Sequence, residues 1–196
     1  MKKSILTVLL LILSVVTYAQ KKQKDTAKVI LPTKGDLIFF ETIVDSLSNQ
    51  SKDILYNKSL KWMADSFVDS KEVIQIKNPE EGSIVGSGLF DYTAPGLLGE
   101  RERMSFMVEI TAKDNKSRIR LYQFKYKTFG SAGYGRASAS KDSDYYSIDK
   151  RYQAYLNEKQ WPKANRAYYQ IIKDKVQAII ESYNSFLKNS PVNDDF

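Results

Sequence analysis

Residues 78–88, NPEEGSIVGSG, place three glycines in seven positions between two apolar runs, the composition of a loop that can cradle a phosphate. Spacing and neighbours argue against that use. A Walker loop requires Gly-x-x-x-x-Gly-Lys-Ser/Thr and a dinucleotide loop requires Gly-x-Gly-x-x-Gly opening a helix, and neither is present. The residues after Gly82 have strand character, so no helix N-terminus would face an anion, and Glu80 and Glu81 would repel one. The segment reads as a hairpin turn: Asn78-Pro79 opens it, Gly82 supplies a positive φ, and Gly86 and Gly88 permit a bulge or close packing.

The remaining chemistry is narrow, because the chain has no His and no Cys. That composition excludes disulfides, thiolate metal sites and cysteine nucleophiles, and leaves any serine nucleophile without an imidazole base. No Gly-x-Ser-x-Gly elbow and no Asp-x-Asp-x-Asp-Gly loop occurs, so no cofactor and no metal is expected. Two carboxylate pairs, Glu41 with Asp45 near a strand and Glu100 with Glu102 in a loop, have the residue types of a carboxylate-dependent hydrolase such as a glycosidase. That is the alternative to the favoured reading, a non-catalytic binding domain.

Binding would use other residues. In the segment 104–126, Met104, Phe106, Val108, Ile110 and Ala112 alternate with polar positions, turn at 113–116 and return through Arg118, Arg120 and Tyr122. If the apolar set faces a core, Ser105, Met107, Glu109 and Thr111 share the other face with partners drawn from those arginines and Tyr122, and such a face suits an anionic partner. The segment 129–149, rich in Gly, Ser and Ala, carries Tyr134, Tyr145 and Tyr146, a residue type favoured in recognition loops.

The elements that would position these residues are legible in outline. Residues 37–44 read as a buried strand, and Ser51 as the N-cap of a helix to about 67, with Asp53 at its positive end. Its core stripe is Tyr56, Leu60, Met63, Ala64 and Phe67, with Trp62 to one side, sealing the helix edge against the sheet. Strands on both sides of the 78–82 turn and a second hairpin over 104–126 follow. A short helix near 152–158 and a long one from Pro162 to about 188 end the domain, the latter with a stripe that includes Tyr168, Ile172, Val176, Tyr183 and Leu187. The expectation is an α+β two-layer fold, an antiparallel sheet of about five strands with two main helices packed on one face.

The ends and the charge bound the setting. Lys2, Lys3 and the apolar run 5–16, with Thr17-Tyr18-Ala19 after it, form a secretory signal peptide cut near Ala19. No later run is long enough to cross a bilayer, so no membrane span is expected in the mature chain. The formal charge of +7 becomes +5 once the two leader lysines leave. The basic residues are dispersed, and an exported protein seldom meets nucleic acid, so a nucleic-acid partner is not expected. The division is leader 1–19, flexible lead-in 20–35, one domain over 36–189 with a mobile insert at 129–149, and a tail at 190–196.

The leader, SKDILYNKSLKWMADSF with Trp62, VIQIKNPEEGSIVGSG with Gly82 and Gly86, and the hairpin ending RIRLYQFKY together resemble a secreted bacterial family of unknown function with a TATA-binding-protein-like fold. The likeness covers residues 37–126. It implies a fold and an exported, periplasmic or extracellular location, and brings no catalytic or ligand residue. The partner it leaves open is an envelope protein or glycan, and the fold name does not carry DNA binding with it.

Overall fold

The structure, a computed structural model, describes residues 27–67, 74–95, 100–131, 145–157 and 163–190. The leader at 1–19, Tyr134 and the tail beyond residue 190 lie outside the described residues. Five main strands, β2 (Leu37–Val44), β3 (Ile74–Asn78), β4 (Ser83–Thr93), β5 (Glu100–Lys113) and β6 (Lys116–Ser131), form one antiparallel sheet. Two further strands of two residues each, β1 (Thr33–Lys34) and β7 (Tyr146–Ser147), bring it to seven. The order is β1-β2-β6-β5-β4-β3, with β7 also paired to β6. Three helices, α1 (Lys52–Ser66), α2 (Asp149–Asn157) and α3 (Lys163–Asn189), complete the fold, α1 and α3 being the two main helices expected and α2 the short one expected near 152–158.

Period-two alternation sets the two faces. On β5 the apolar set Met104, Phe106, Val108, Ile110 and Ala112 is buried, while Ser105, Met107, Glu109 and Thr111 are half-buried on the other face. On β6 the buried positions run Ser117, Ile119, Leu121 and then Phe124, a step of three. Gln123 causes the slip: its φ is 54°, and β6 places three residue steps between Tyr122 and Lys125 where β5 places two between Met107 and Ser105. This is a β-bulge, and it re-aims every side chain beyond it.

The turn at 79–82 has Gly82 at φ +66°, with its N–H donating to the Pro79 carbonyl at 3.2 Å. A Cβ there would lie 2.5 Å from the Ala112 carbonyl oxygen, so conformation and space both require glycine. Gly86 faces Ile74 where β3 shifts register against β4. Gly88 lets the Phe67 and Phe106 rings close over the sheet, since an added Cβ would meet them at 2.8 and 2.6 Å.

Helix α1 starts where the caps place it, with the Ser51 Oγ accepting from the Ile54 N–H at 3.4 Å and Asp53 in the first turn. Its buried side differs from the expected stripe. Leu55, Tyr56, Ser59, Trp62 and Met63 are buried, Leu60 is half-buried and Ala64 is exposed. The reason is α3, which packs against α1 and draws the core side around by part of a turn. Trp62 is 2% exposed, with its ring 4.8 Å from that of Tyr183 and its Nε1 donating to Ser182 Oγ at 3.2 Å. It lies between the helices as well as over Phe67, rather than only at the sheet edge. Tyr183 ties three elements together, its hydroxyl 2.8 Å from Ser59 Oγ on α1 and 2.6 Å from Ser117 Oγ on β6. Lys58, which is not part of the expected apolar stripe, is buried and donates to the carbonyls of Leu187 and Ser190 near the end of α3, and burial lowers its pKa.

Two boundaries move. The lead-in expected to be flexible over 20–35 is packed from about residue 29: Val29 and Leu31 are buried, and their N–H groups donate to the hydroxyls of Tyr155 at 2.9 Å and Tyr152 at 2.6 Å. The insert expected at 129–149 is ordered at both ends, because β6 continues to Ser131 and residues 146–149 form β7 and open α2. No helix among the described residues is long and apolar enough to cross a membrane.

Candidate functional site

Helices occupy one face of the sheet, and the opposite face presents three cross-strand rows over β2, β6, β5 and β4. The first is Phe39, Tyr122, Met107 and Ser87; the second is Glu41, Arg120, Glu109 and Val85; the third is Ile43, Arg118, Thr111 and Ser83. Arg118, Arg120 and Tyr122 therefore stand side by side on alternate positions of β6, above the bulge.

Each makes a different set of contacts. Arg120 lies between two carboxylates, Nε to Glu41 Oε2 at 2.6 Å and Nη1 to Glu109 Oε1 at 2.9 Å. That hydrogen bond holds the Glu41 carboxyl below its ordinary range, and Glu41 in turn raises the pKa of Arg120. The Phe39 and Tyr122 rings stack at 6.0 Å, with Lys34 Nζ and the Arg120 guanidinium 5.4 and 5.9 Å from the Phe39 ring centroid. Burial, and then the charge of Glu109, push the Tyr122 hydroxyl up. Arg118 touches no carboxylate among the described residues: its Nη2 reaches Thr111 Oγ1 at 3.4 Å, and its buried Nε has no partner.

The face is also apolar. Leu37 (57% exposed), Ile43 (58%) and Ile76 (56%) stand open on it. Beyond the bulge, Arg103 binds Asp91 in a two-pronged contact at 2.6 and 2.8 Å, and Lys127 Nζ lies 4.6 Å from the Tyr145 ring centroid. Tyr146 is exposed beside Tyr126 on β7. Tyr145 and Tyr146 thus lie at the far end of β6 from Arg118, separated from the three rows by the Gln123 bulge.

The carboxylate pairs are placed apart from any shared cleft. Glu41 is bound by Arg120, and Asp45 is exposed past the end of β2. Glu100 and Glu102, expected in a loop, open β5 instead. Glu100 is exposed, whereas Glu102 is 3% exposed on the helix side, where it accepts the Tyr92 hydroxyl. Tyr92 lies 3.0 Å from the Tyr168 hydroxyl, and the Arg151 guanidinium sits 4.2 Å from the Tyr168 ring centroid. This buried polar cluster was missed from the sequence, although extending the β5 alternation from Phe106 and Met104 back to Glu102 points to it.

Residues 40–127 match the model of a domain of unknown function with a TBP-like fold, DUF4468. A crystal structure of a DUF4468 family protein from Bacteroides ovatus superposes with a TM-score of 0.58 at 15% identity, covering 83% of this chain and 92% of that one. A crystal structure of a TBP-like protein from Parabacteroides distasonis gives 0.52 at 16% identity, covering 78% of this chain and 96% of the other. At these identities the likeness carries the fold alone. No curated protein matches the chain. The three rows described above all fall within the matched residues 40–127, apart from Phe39, which immediately precedes them.

Proposed function

We propose that the protein is an exported, non-catalytic domain that binds an anionic partner of the cell envelope through the uncovered face of its sheet. The observation that carries this reading is that face itself: exposed Leu37, Ile43 and Ile76 surround a Phe39–Tyr122 stack and an arginine, Arg118, that touches no carboxylate among the described residues. An apolar surface with polar and cationic residues interspersed is the composition of an interaction site. Export rests on the leader at 1–19. Catalysis has less support, because Glu41 is bound to Arg120 and Glu102 is enclosed by tyrosines, so neither pair leaves two free carboxylates across an open space.

Immobilised mature protein, incubated with envelope extract, tests this. The Arg118→Ala/Arg120→Ala variant should lose capture by about tenfold or more, with a circular dichroism spectrum unchanged from wild type. A Lys175→Ala variant on α3 should retain capture. Equal capture by all three proteins would sink the reading.

A further inference from the structure

Lys113 and Lys116 stand directly opposite one another where the β5–β6 hairpin closes. Like charges at directly opposed positions destabilise a sheet. Neither lysine has a hydrogen bond or ion pair among the described residues. Arg118 is the next cation on the same face, and among the described residues its side chain makes one hydrogen bond, to the Thr111 hydroxyl. Arg120 and Arg103, also on this face, are matched by carboxylates. Asp114, in the turn itself, is directed to the helix side, where it accepts the Lys52 N–H at 2.7 Å. Three unmatched positive charges are therefore left around one depression of about 170 Å³, lined by Ile43, Thr111, Lys113, Lys116, Ser117 and Arg118.

We propose that this depression is an oxyanion site that takes a phosphate-type dianion. Arginine offers a planar fork, the lysines offer two mobile point charges, and Thr111 adds a hydroxyl, a donor set suited to a tetrahedral oxyanion. Bound anion would relieve the Lys113–Lys116 repulsion, so binding and local stability are coupled at the hairpin end. A dianion fits three clustered cations better than a carboxylate does, because a single negative charge would leave more of them uncompensated. The proposal rests on reading the uncovered face as the binding surface, and it names the chemical group that surface would recognise.

Titration of the isotope-labelled mature protein with inorganic phosphate, replacing chloride at fixed ionic strength, tests the site by amide chemical shifts. Saturating shifts confined to residue 43 and residues 111–118 are expected. Acetate should bind more weakly. The Lys113→Gln/Lys116→Gln variant, changed at two exposed positions that tolerate substitution, should raise the phosphate Kd about tenfold. Vesicles with and without phosphatidic acid, whose headgroup is a phosphomonoester, separate the sources. Retention that the double variant abolishes assigns the phosphate to a lipid headgroup, and phosphate binding without retention assigns it to a soluble or glycan-borne ester. Shifts no larger than those from chloride, or spread equally to Lys163 and Arg166, would mean an adventitious ion only and overturn the proposal. If phosphate fails to bind while Arg118→Ala/Arg120→Ala still loses the envelope partner, the oxyanion site falls and the wider reading of the face stands. Phosphate binding with partner capture unaffected has the reverse meaning.

Discussion

Truncating Trp62 to alanine is expected to cost about 3–5 kcal/mol, a large part of the 5–15 kcal/mol that holds an ordinary domain folded. The ring is almost wholly buried and is shared by three neighbours: Tyr183 on α3, Phe67 at the end of α1, and Ser182, which accepts its N–H. Removing it leaves a cavity where two helices meet. The sheet below cannot close the gap, because the Phe67 and Phe106 rings already rest against Gly88. Denaturant unfolding of wild type and variant measures the cost as a shift in midpoint at unchanged slope. A change below about 1 kcal/mol would mean that the indole ring is not packed between the helices.

Alkaline pH should unfold the protein within a narrow interval. Burial raises the pKa of Tyr92, Tyr168 and Tyr169 well above the ordinary tyrosine value, and pushes Tyr183 up to about 12. Tyr92 is raised further by its neighbours Tyr168 and Glu102, and the buried Tyr169 hydroxyl has no hydrogen-bond partner among the described residues. In the unfolded chain these phenols ionise near 10, so above that pH the folded state holds protons that the unfolded state has lost. Their contribution is fully present below pH 10 and falls as pH rises. Each costs about 1.4 kcal/mol per pH unit, and the four together about 5. Over the two units to about pH 12 the loss, about 10 kcal/mol, is comparable with the whole stability of a domain. Lys58 acts in the opposite sense, since its pKa is lowered, but only up to its ordinary value of 10.5. Tyrosinate absorbance and far-ultraviolet circular dichroism, followed together, should show exposed tyrosines ionising first. The buried ones should then appear in one step with loss of secondary structure. A smooth titration of every tyrosine near pH 10 with the fold intact would contradict this.

Much of the frame is legible in the residues. Ser51 and Asp53 mark the start of α1, and the alternation from Met104 to Ala112 fixes both faces of β5, and hence which side Glu109 and Thr111 occupy. Arg118, Arg120 and Tyr122 share a face for the same reason. What the sequence hides is long-range. The docking of Val29 and Leu31 depends on the Tyr152 and Tyr155 hydroxyls more than a hundred residues away. The slip at Gln123 follows from φ 54° at a residue with no strong preference for it. The buried side of α1 is decided by α3, which a helical wheel of α1 alone does not contain. Within the candidate site, residue types disclose the charges but register decides their pairing. Only the strand alignment shows Arg120 matched by Glu41 and Glu109, with Arg118, Lys113 and Lys116 making no ion pair among the described residues.

Photo-cross-linking in the native cell tests the central claim most directly. A photoreactive residue placed at position 43 or 122 reports on the uncovered face, and one at position 170 or 175 reports on the exposed side of α3. Cross-links to one envelope partner from positions 43 and 122, lost on Arg118→Ala/Arg120→Ala substitution, are the predicted result. Cross-links from positions 170 and 175 alone would place the contact on the helices and contradict the account.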